Sequence, residues 1–284
     1  MEDIQIKSAQ TKKDLSSLME NMVSFTKQYP KAELQDPSNE FVIARDFLNK
    51  GEFNLAVCGK VKNGKSSLIN ALIGRELLPV CTDVATSRVF KISNAEKDSF
   101  FIVYANGDKK EITFDKLSSL GNQSIIDKDG DFEADKVIAY IQVYTPLDFL
   151  PEGVSLIDTP GIGSTYPQHT AITKQFIKMA DGVLFVTNPS PLENIEIDFL
   201  KEIIKITPGI IFVTTKIDEN GNQSVDEAIS RNVVLIKKAI GDSLIFGIDM
   251  QKMSSKLLLE AALTDDKDSA EFNYSVSGFD DVKK

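Results

Sequence analysis

The sequence lacks most features that announce a membrane, secreted or nucleic-acid-binding protein. No apolar run approaches the ~18 residues of a spanning helix, and the opening "MEDIQIKSAQTKK" has no signal-peptide core. There is thus no transmembrane segment, and any membrane contact must be peripheral or come from segments outside this chain. Two cysteines, Cys58 and Cys81, exclude a disulfide framework, and Cys58 lies in an apolar run where a free thiol behaves as a small core residue. A reducing cytoplasm fits best. The single histidine, His169, has no cysteine or carboxylate spacing around it to suggest a metal site and reads as an exposed loop residue. Basic residues (32) are outnumbered by acidic ones (42), a net charge of −10 that argues against broad binding to nucleic acid or anionic lipid. The acidic clusters at 127–135 and 265–268 read as solvated surface.

What is present is an α/β pattern. Leu15, Leu18, Met19, Met22 and Val23 recur at helical spacing before Pro30, and "SNEFVIARDFLNKG" has a cap, an apolar stripe and a closing Gly51. Residues 1–50 therefore read as an N-terminal helical extension. From Phe53 the apolar runs become continuous: "FNLAVCG", "VSLIDTPG", "GVLFVTN", "GIIFVTTKID" and "LIFGID", separated by helical segments. Strands buried on both faces indicate a doubly wound, mostly parallel sheet over 51–264, with ligands at the strands' carboxyl ends. Residues 93–135 read as an insertion, with a hairpin at Asn106-Gly107, and 265–284 as a polar surface tail.

Gly59 to Ser66, "GKVKNGKS", spells G-x-x-x-x-G-K-S between a strand and a helix. Glycines Gly59 and Gly64 permit the turn. The amides of Val61, Lys62, Asn63, Gly64, Lys65, Ser66 and Ser67, together with the helix N-terminus, can cradle phosphates. Lys65 would neutralise β and γ oxygens, and the Ser66 hydroxyl would bind Mg²⁺. Three further stretches follow in order. "LIDTPG" puts Asp158 at a strand end, where its carboxylate can hold Mg²⁺ through water, and offers the Gly161 N–H to a γ-phosphate. "TTKID" supplies Thr215, Lys216 and Asp218, whose carboxylate can accept from both N1 and N2 of guanine; adenine lacks that donor pair. "MSSK" supplies Ser254, Ser255 and Lys256, with the Ser255 N–H best placed for the guanine oxygen.

This ordered set resembles a regulatory GTPase, with GTP, GDP and Mg²⁺ as ligands. "NLAVCGKVKNGKSSLINALIGRELLP", "PLDFLPEGVSLIDTPGIGS" and "ADGVLFVTNPSPLENIEIDFLKEI" further resemble the dynamin superfamily, in particular the GTPase domain of its bacterial dynamin-like members, over roughly 38–264 with a weaker echo in "SGFDDVKK". The resemblance implies a first-switch threonine 21 positions after the loop lysine, which lands on Thr86; Thr82 is its rival. Thr86 would contact Mg²⁺ and the attacking water. Ile162 occupies the place where Ras-like GTPases hold a water-positioning glutamine, and it cannot hydrogen-bond water. Related large GTPases carry an arginine where this chain has Lys62, which implies a cis-acting positive finger; the plain alternative is a loop lysine that adds only ground-state affinity. The likeness implies a homodimer through the nucleotide face and GTP hydrolysis in a membrane-remodelling protein. The other reading is a nucleotide-gated interaction switch with negligible turnover.

Overall fold

Successive residues of the first strand, β1 (Phe53–Gly59), face opposite ways: Val57 packs into one apolar cluster, Ala56 and Cys58 into another. The same alternation sends Leu184 and Val186 of β7 (Gly182–Thr187) to one side and Val183 and Phe185 to the other. In β8 (Ile210–Thr214) Val213 is separated in this way from Ile210 and Phe212. Both faces are apolar because helices cover both. On one lie α1 (Lys65–Ile73), through Leu68 and Ile69, and α6 (Ser255–Leu263), through Leu258. On the other lie α4 (Asn194–Ile203), through Phe199, Leu200 and Ile203, and α5 (Val225–Ile240), through Ile236 and Ile240. This two-sided burial makes the strands read as unbroken apolar runs.

The computed structural model describes residues 52–80, 88–104, 108–120, 138–147, 150, 153–164, 167–219, 224–241 and 247–280. The chain divides into two units, Met1–Phe53 and Asn54–Lys284. The expected N-terminal helices lie outside the described residues, as do Thr82 and Thr86.

The remaining strands are β2 (Phe90–Asn94), β3 (Ser99–Tyr104), β4 (Lys109–Ile112), β5 (Ile138–Thr145), β6 (Val154–Asp158) and β9 (Met250–Lys252). They form one nine-stranded sheet in the order β4-β3-β5-β2-β6-β1-β7-β8-β9. β1, β7, β8 and β9 run parallel, so their carboxyl ends share one rim. Antiparallel pairings join β2 to β6 and β3 to both β4 and β5. The expected α/β class with a large parallel component is what the structure has. β3 and β4 pair as the hairpin reading requires, although Asn106 and Gly107 lie outside the described residues. Both strands add to the edge of the main sheet, and the short helix α2 (Phe114–Ser119), capped by Thr113, follows them.

Two expectations need qualification. The strand that pairs with β8 is Met250–Lys252; of "LIFGID", Gly247 to Asp249 form no strand, and 244–246 lie outside the described residues. The C-terminal stretch is surface over most of its length, as expected, but it is helical and its end is packed. Asp266 caps a helix, α7 (Lys267–Val276), by accepting from the Ser269 N–H, and Ser277 beyond it has no exposed surface. The polar composition suits an exposed helix, and its acidic residues sit at the helix start, where they favour it.

Phe185 and Phe212 are both fully buried, with ring centroids 5.7 Å apart at 58°. Replacing Phe212 with alanine removes this contact from the centre of one layer. A loss of about 3–5 kcal/mol in urea-unfolding stability is expected.

Candidate functional site

α1 begins at Lys65 with Gly64 as its cap, in a left-handed conformation (φ 81) that has no side-chain hydrogen bond to the helix. The first-turn amides are thus left for a ligand, and the helix dipole favours an anion there. Lys62 is left-handed as well (φ 68), which costs a non-glycine residue roughly 1 kcal/mol. The loop is held from three sides. The Lys65 Nζ donates to the Lys60 carbonyl at 3.2 Å, within the loop itself. The Asn63 Nδ2 lies 3.0 Å from the Val186 carbonyl and 3.2 Å from Glu196 Oε1. The Thr215 hydroxyl, from the end of β8, lies 2.6 Å from the Asn63 carbonyl.

Glu196 belongs to a capping box at the start of α4, where its Oε2 accepts from the Glu193 N–H at 3.0 Å; Glu193 in turn pairs with Lys60. One helix N-terminus therefore grips the phosphate loop at two side chains. The composition gave no hint of this, and the E-x-x-E spacing in "ENIE" departs from the usual S/T-x-x-E box at its first residue.

Asp158, at the end of β6, has no exposed surface. Its Oδ2 accepts from the Ser66 hydroxyl at 2.6 Å, while Oδ1 has no hydrogen-bond partner among the described residues. Burial pushes the Asp158 carboxyl up to about 6, against the opposing pulls of the Ser66 bond and the Lys65 charge. Burial also lowers the Lys65 ammonium, with the Asp158 charge the largest effect resisting it. An orphaned carboxylate oxygen beside a serine hydroxyl is a hard oxygen set that fits Mg²⁺. Behind it, a Cβ on Gly161 would stand 2.7 Å from the Val61 Cα, so the two loops touch backbone to backbone. The Val61 N–H donates to the Ile162 carbonyl at 3.0 Å, and the Ile162 N–H to the Gly59 carbonyl at 3.1 Å. The Ile162 side chain is fully buried in the core and contributes only packing.

At the other end, Asp218 sits on a 3₁₀ turn (Ile217–Glu219) and its Oδ1 accepts from the Ser254 hydroxyl at 2.6 Å. Ser254 also caps α6, accepting from the Leu257 N–H at 3.1 Å. Lys216 is the second left-handed non-glycine residue (φ 59) among those described, and its ammonium pairs with Glu219 at 3.0 Å. Between the two ends lies a cavity of about 510 Å³, within the range of small-molecule sites. Val61, Lys62, Gly64, Lys65, Ser66, Ser67, Gly161, Thr215, Lys216, Asp218, Ser255 and Lys256 all line it. Gly59, Asn63, Asp158 and Ser254 do not; they are buried behind the wall. Asn70, Glu76, Val80, Glu219 and Leu259 also line the cavity and were not anticipated, since no local motif marks them.

Two side readings resolve differently. Burial pushes the Cys58 thiol up to about 12, so it is an inert core group as expected. His169 is not an exposed loop residue: it lies on α3 (Pro167–Ile177), is 2% exposed, and its Nδ1 is 3.0 Å from the Ser164 hydroxyl. The helix starts just before it and turns the ring inward, where burial lowers its pKa.

The Asp158 environment has a measurable cost. Its folded pKa lies above the ordinary 3.8, so the stability that the protonated form contributes is present below about pH 4 and lost as pH rises through about 6. Asp158→Asn keeps an acceptor for Ser66 without the charge. In chelator and without nucleotide, the variant should be more stable than the parent at pH 7.5 by up to about 3 kcal/mol, and the gap should close by pH 4. Urea unfolding across that range checks both the size and the sign.

Comparisons with known proteins place the chain in a family. The family model for the dynamin family matches residues 55–217, from β1 through the phosphate loop and Asp158 to the turn that carries Asp218. A protein from the xynA 3′ region of Caldicellulosiruptor sp. (strain Rt8B.4) is 31% identical over 228 residues, covering 80% of this chain and 55% of its own length. Dynamin-like protein 1 of Campylobacter jejuni is 26% identical over 72% of this chain and 33% of its own. The chain thus spans about half, or a third, of these relatives. A solved structure of an oligomerised bacterial dynamin pair, described as sensing and tethering membranes, shares the fold with a TM-score of 0.60 at 19% identity. It covers 95% of this chain, which spans 50% of that one. Dynamin family members are in general GTPases that bind guanine nucleotide. With a family model matching more than half of its residues, from β1 to the start of the Asp218 turn, this chain belongs to the dynamin family.

Proposed function

We propose that this chain is a Mg²⁺-dependent GTPase domain that hydrolyses GTP to GDP and phosphate. The observation that carries this reading is that one cavity has an uncapped helix start and a buried lysine at one end and a serine-held aspartate at the other. The first suits a triphosphate tail and the second suits guanine.

In this reading Lys65 and the amides of Lys62 and of Gly64 to Ser67 take the phosphates, since the Val61 and Asn63 N–H groups already donate to the Ile162 and Lys60 carbonyls. Ser66 and Asp158, with Thr86, would hold the metal, which would supply charge withdrawal from the phosphates. The Gly161 N–H meets the γ-phosphate. Asp218 selects guanine through N1 and N2, Ser255 offers its N–H to the guanine oxygen, and Lys216, Lys256 and Thr215 frame the base. Ile162 is buried and cannot position water, so the site needs another source of transition-state stabilisation. Lys62 lines the cavity with an exposed side chain and serves as that positive charge in cis. A second copy meeting this one across the nucleotides completes both sites. Membrane remodelling, through peripheral contacts made by segments outside this chain, is the cellular role that goes with this reading, and the solved bacterial dynamin pair is described as sensing and tethering membranes.

Two sets of measurements test this reading. Phosphate release should be fast with GTP and near background with ATP, and Asp218→Asn should lose that preference by 100-fold or more, consistent with ~3 kcal/mol for two charge-assisted hydrogen bonds. Turnover per molecule should climb as protein concentration rises; tight GTP binding without phosphate release would identify the interaction switch instead. For Lys62→Ala, kcat should fall at least tenfold with KM little changed. A rise in KM alone would reduce Lys62 to a ground-state contact.

A further inference from the structure

The polar C-terminal segment contains a turn that bonds to Ser254, behind the base end of the cavity. Ser277 closes α7 with its N–H donating to the Tyr274 carbonyl at 3.2 Å, and Gly278 follows in the left-handed region (φ 80). The Ser277 carbonyl accepts from the Ser254 N–H at 2.7 Å. Ser254 is also the residue whose hydroxyl holds Asp218, so its position is fixed from both sides of its own backbone and side chain. One residue earlier, the Met253 N–H donates to the Thr214 carbonyl at 2.8 Å, continuing the β8–β9 ladder. The turn thus lies against the free edge of β9, just where the strand hands over to the base loop.

The approach leaves no room for a side chain. A Cβ on Gly278 would stand 2.2 Å from the Lys252 carbonyl oxygen and 3.5 Å from the Met253 Cα. Both neighbours are backbone, so neither can swing aside, and the left-handed φ adds strain for any other residue. The turn is held by its own bonds too. The Ser277 hydroxyl donates to the Tyr274 carbonyl at 2.7 Å and accepts from the Phe279 N–H at 3.2 Å. Phe279 packs on the main apolar cluster, with its ring 5.9 Å from that of Tyr274.

We infer that the Ser277–Gly278 turn is a specificity-determining positioning element: it fixes Ser254, and through it Asp218, so that the carboxylate meets the guanine N1 and N2 donors. Its residues touch no ligand themselves. The inference rests on the reading of the cavity as a guanine-nucleotide site. A displaced Lys252 moves Ser254 and frees Asp218 to rotate, while the phosphate end, built from β1, α1 and β6, stays in place. The loss therefore falls on base selection and spares tail binding.

The test measures equilibrium affinity for GDP and ADP, with Mg²⁺, on the full chain and on Gly278→Ala. ADP reports the phosphate end alone. The variant should lower the GDP-to-ADP affinity ratio at least tenfold while ADP affinity stays within twofold. Ser277→Ala, which removes the two hydroxyl bonds but adds no bulk, should lower the ratio about threefold, and it decides the matter if Gly278→Ala does not fold. An unchanged ratio in the folded variant, or equal loss of GDP and ADP, would overturn the inference and leave the turn a structural clasp. A parent protein with no preference for GDP over ADP would instead refute the nucleotide reading on which the inference depends.

Discussion

The Thr215 hydroxyl lies 2.6 Å from the Asn63 carbonyl and 3.0 Å from the Thr187 carbonyl, so one buried proton joins the phosphate loop to the strand end that leads to Asp218. The geometry of the cavity depends on this junction. Without it, the phosphate loop and the strand end, 152 residues apart in sequence, would be related only through intermediaries, the β1–β7–β8 pairing and the Asn63–Val186 bond. Asn63 is pinned in addition by Val186 and Glu196, and its neighbour Gly64 sits 3.4 Å from the Thr215 hydroxyl at the point where a Cβ would project. The loop is thus preformed, and a ligand does not have to order it.

Preformation is accompanied by an electrostatic imbalance. Lys65 and Asp158 are both buried, both held away from their ordinary ionisation, and each is the other's main opposing charge. A dry pair of this kind is expensive for the empty protein, and it favours whatever brings compensating charge on both signs. An anionic tail with a divalent cation does so. The same residues that weaken the fold therefore strengthen its preference for the bound form.

Much of this architecture could be read from the chain because its parts are either contiguous or periodic. The phosphate loop is eight successive residues, and Asp158 and Asp218 each follow an apolar run whose continuity already implies a buried parallel strand. What could not be read came from contacts between distant segments. Glu76, Val80 and Leu259 reach the cavity from elements whose sequence gives no reason to converge. His169 was misread because the helix begins only two residues before it, and Ser164 supplies a partner that a linear reading cannot supply. The packed end of the C-terminal segment was hidden for a related reason: its acidic residues are solvated, but Ser277 and Gly278 are held by Ser254 and Lys252, more than twenty residues upstream. The strand that bonds to β8 is Met250–Lys252, just after the more apolar run "LIFGID", and apolarity alone does not say which residues bond to β8.

Two lysines on the cavity wall, Lys62 and Lys216, occupy a backbone shape that glycine takes at no steric cost. A glycine at either place would ease the loop by up to about 1 kcal/mol. The chain forgoes that relief at both ends of the site, although it uses glycine freely nearby. Strain at the phosphate end thus accompanies an exposed ammonium, that of Lys62, and strain at the base end accompanies the Lys216–Glu219 ion pair.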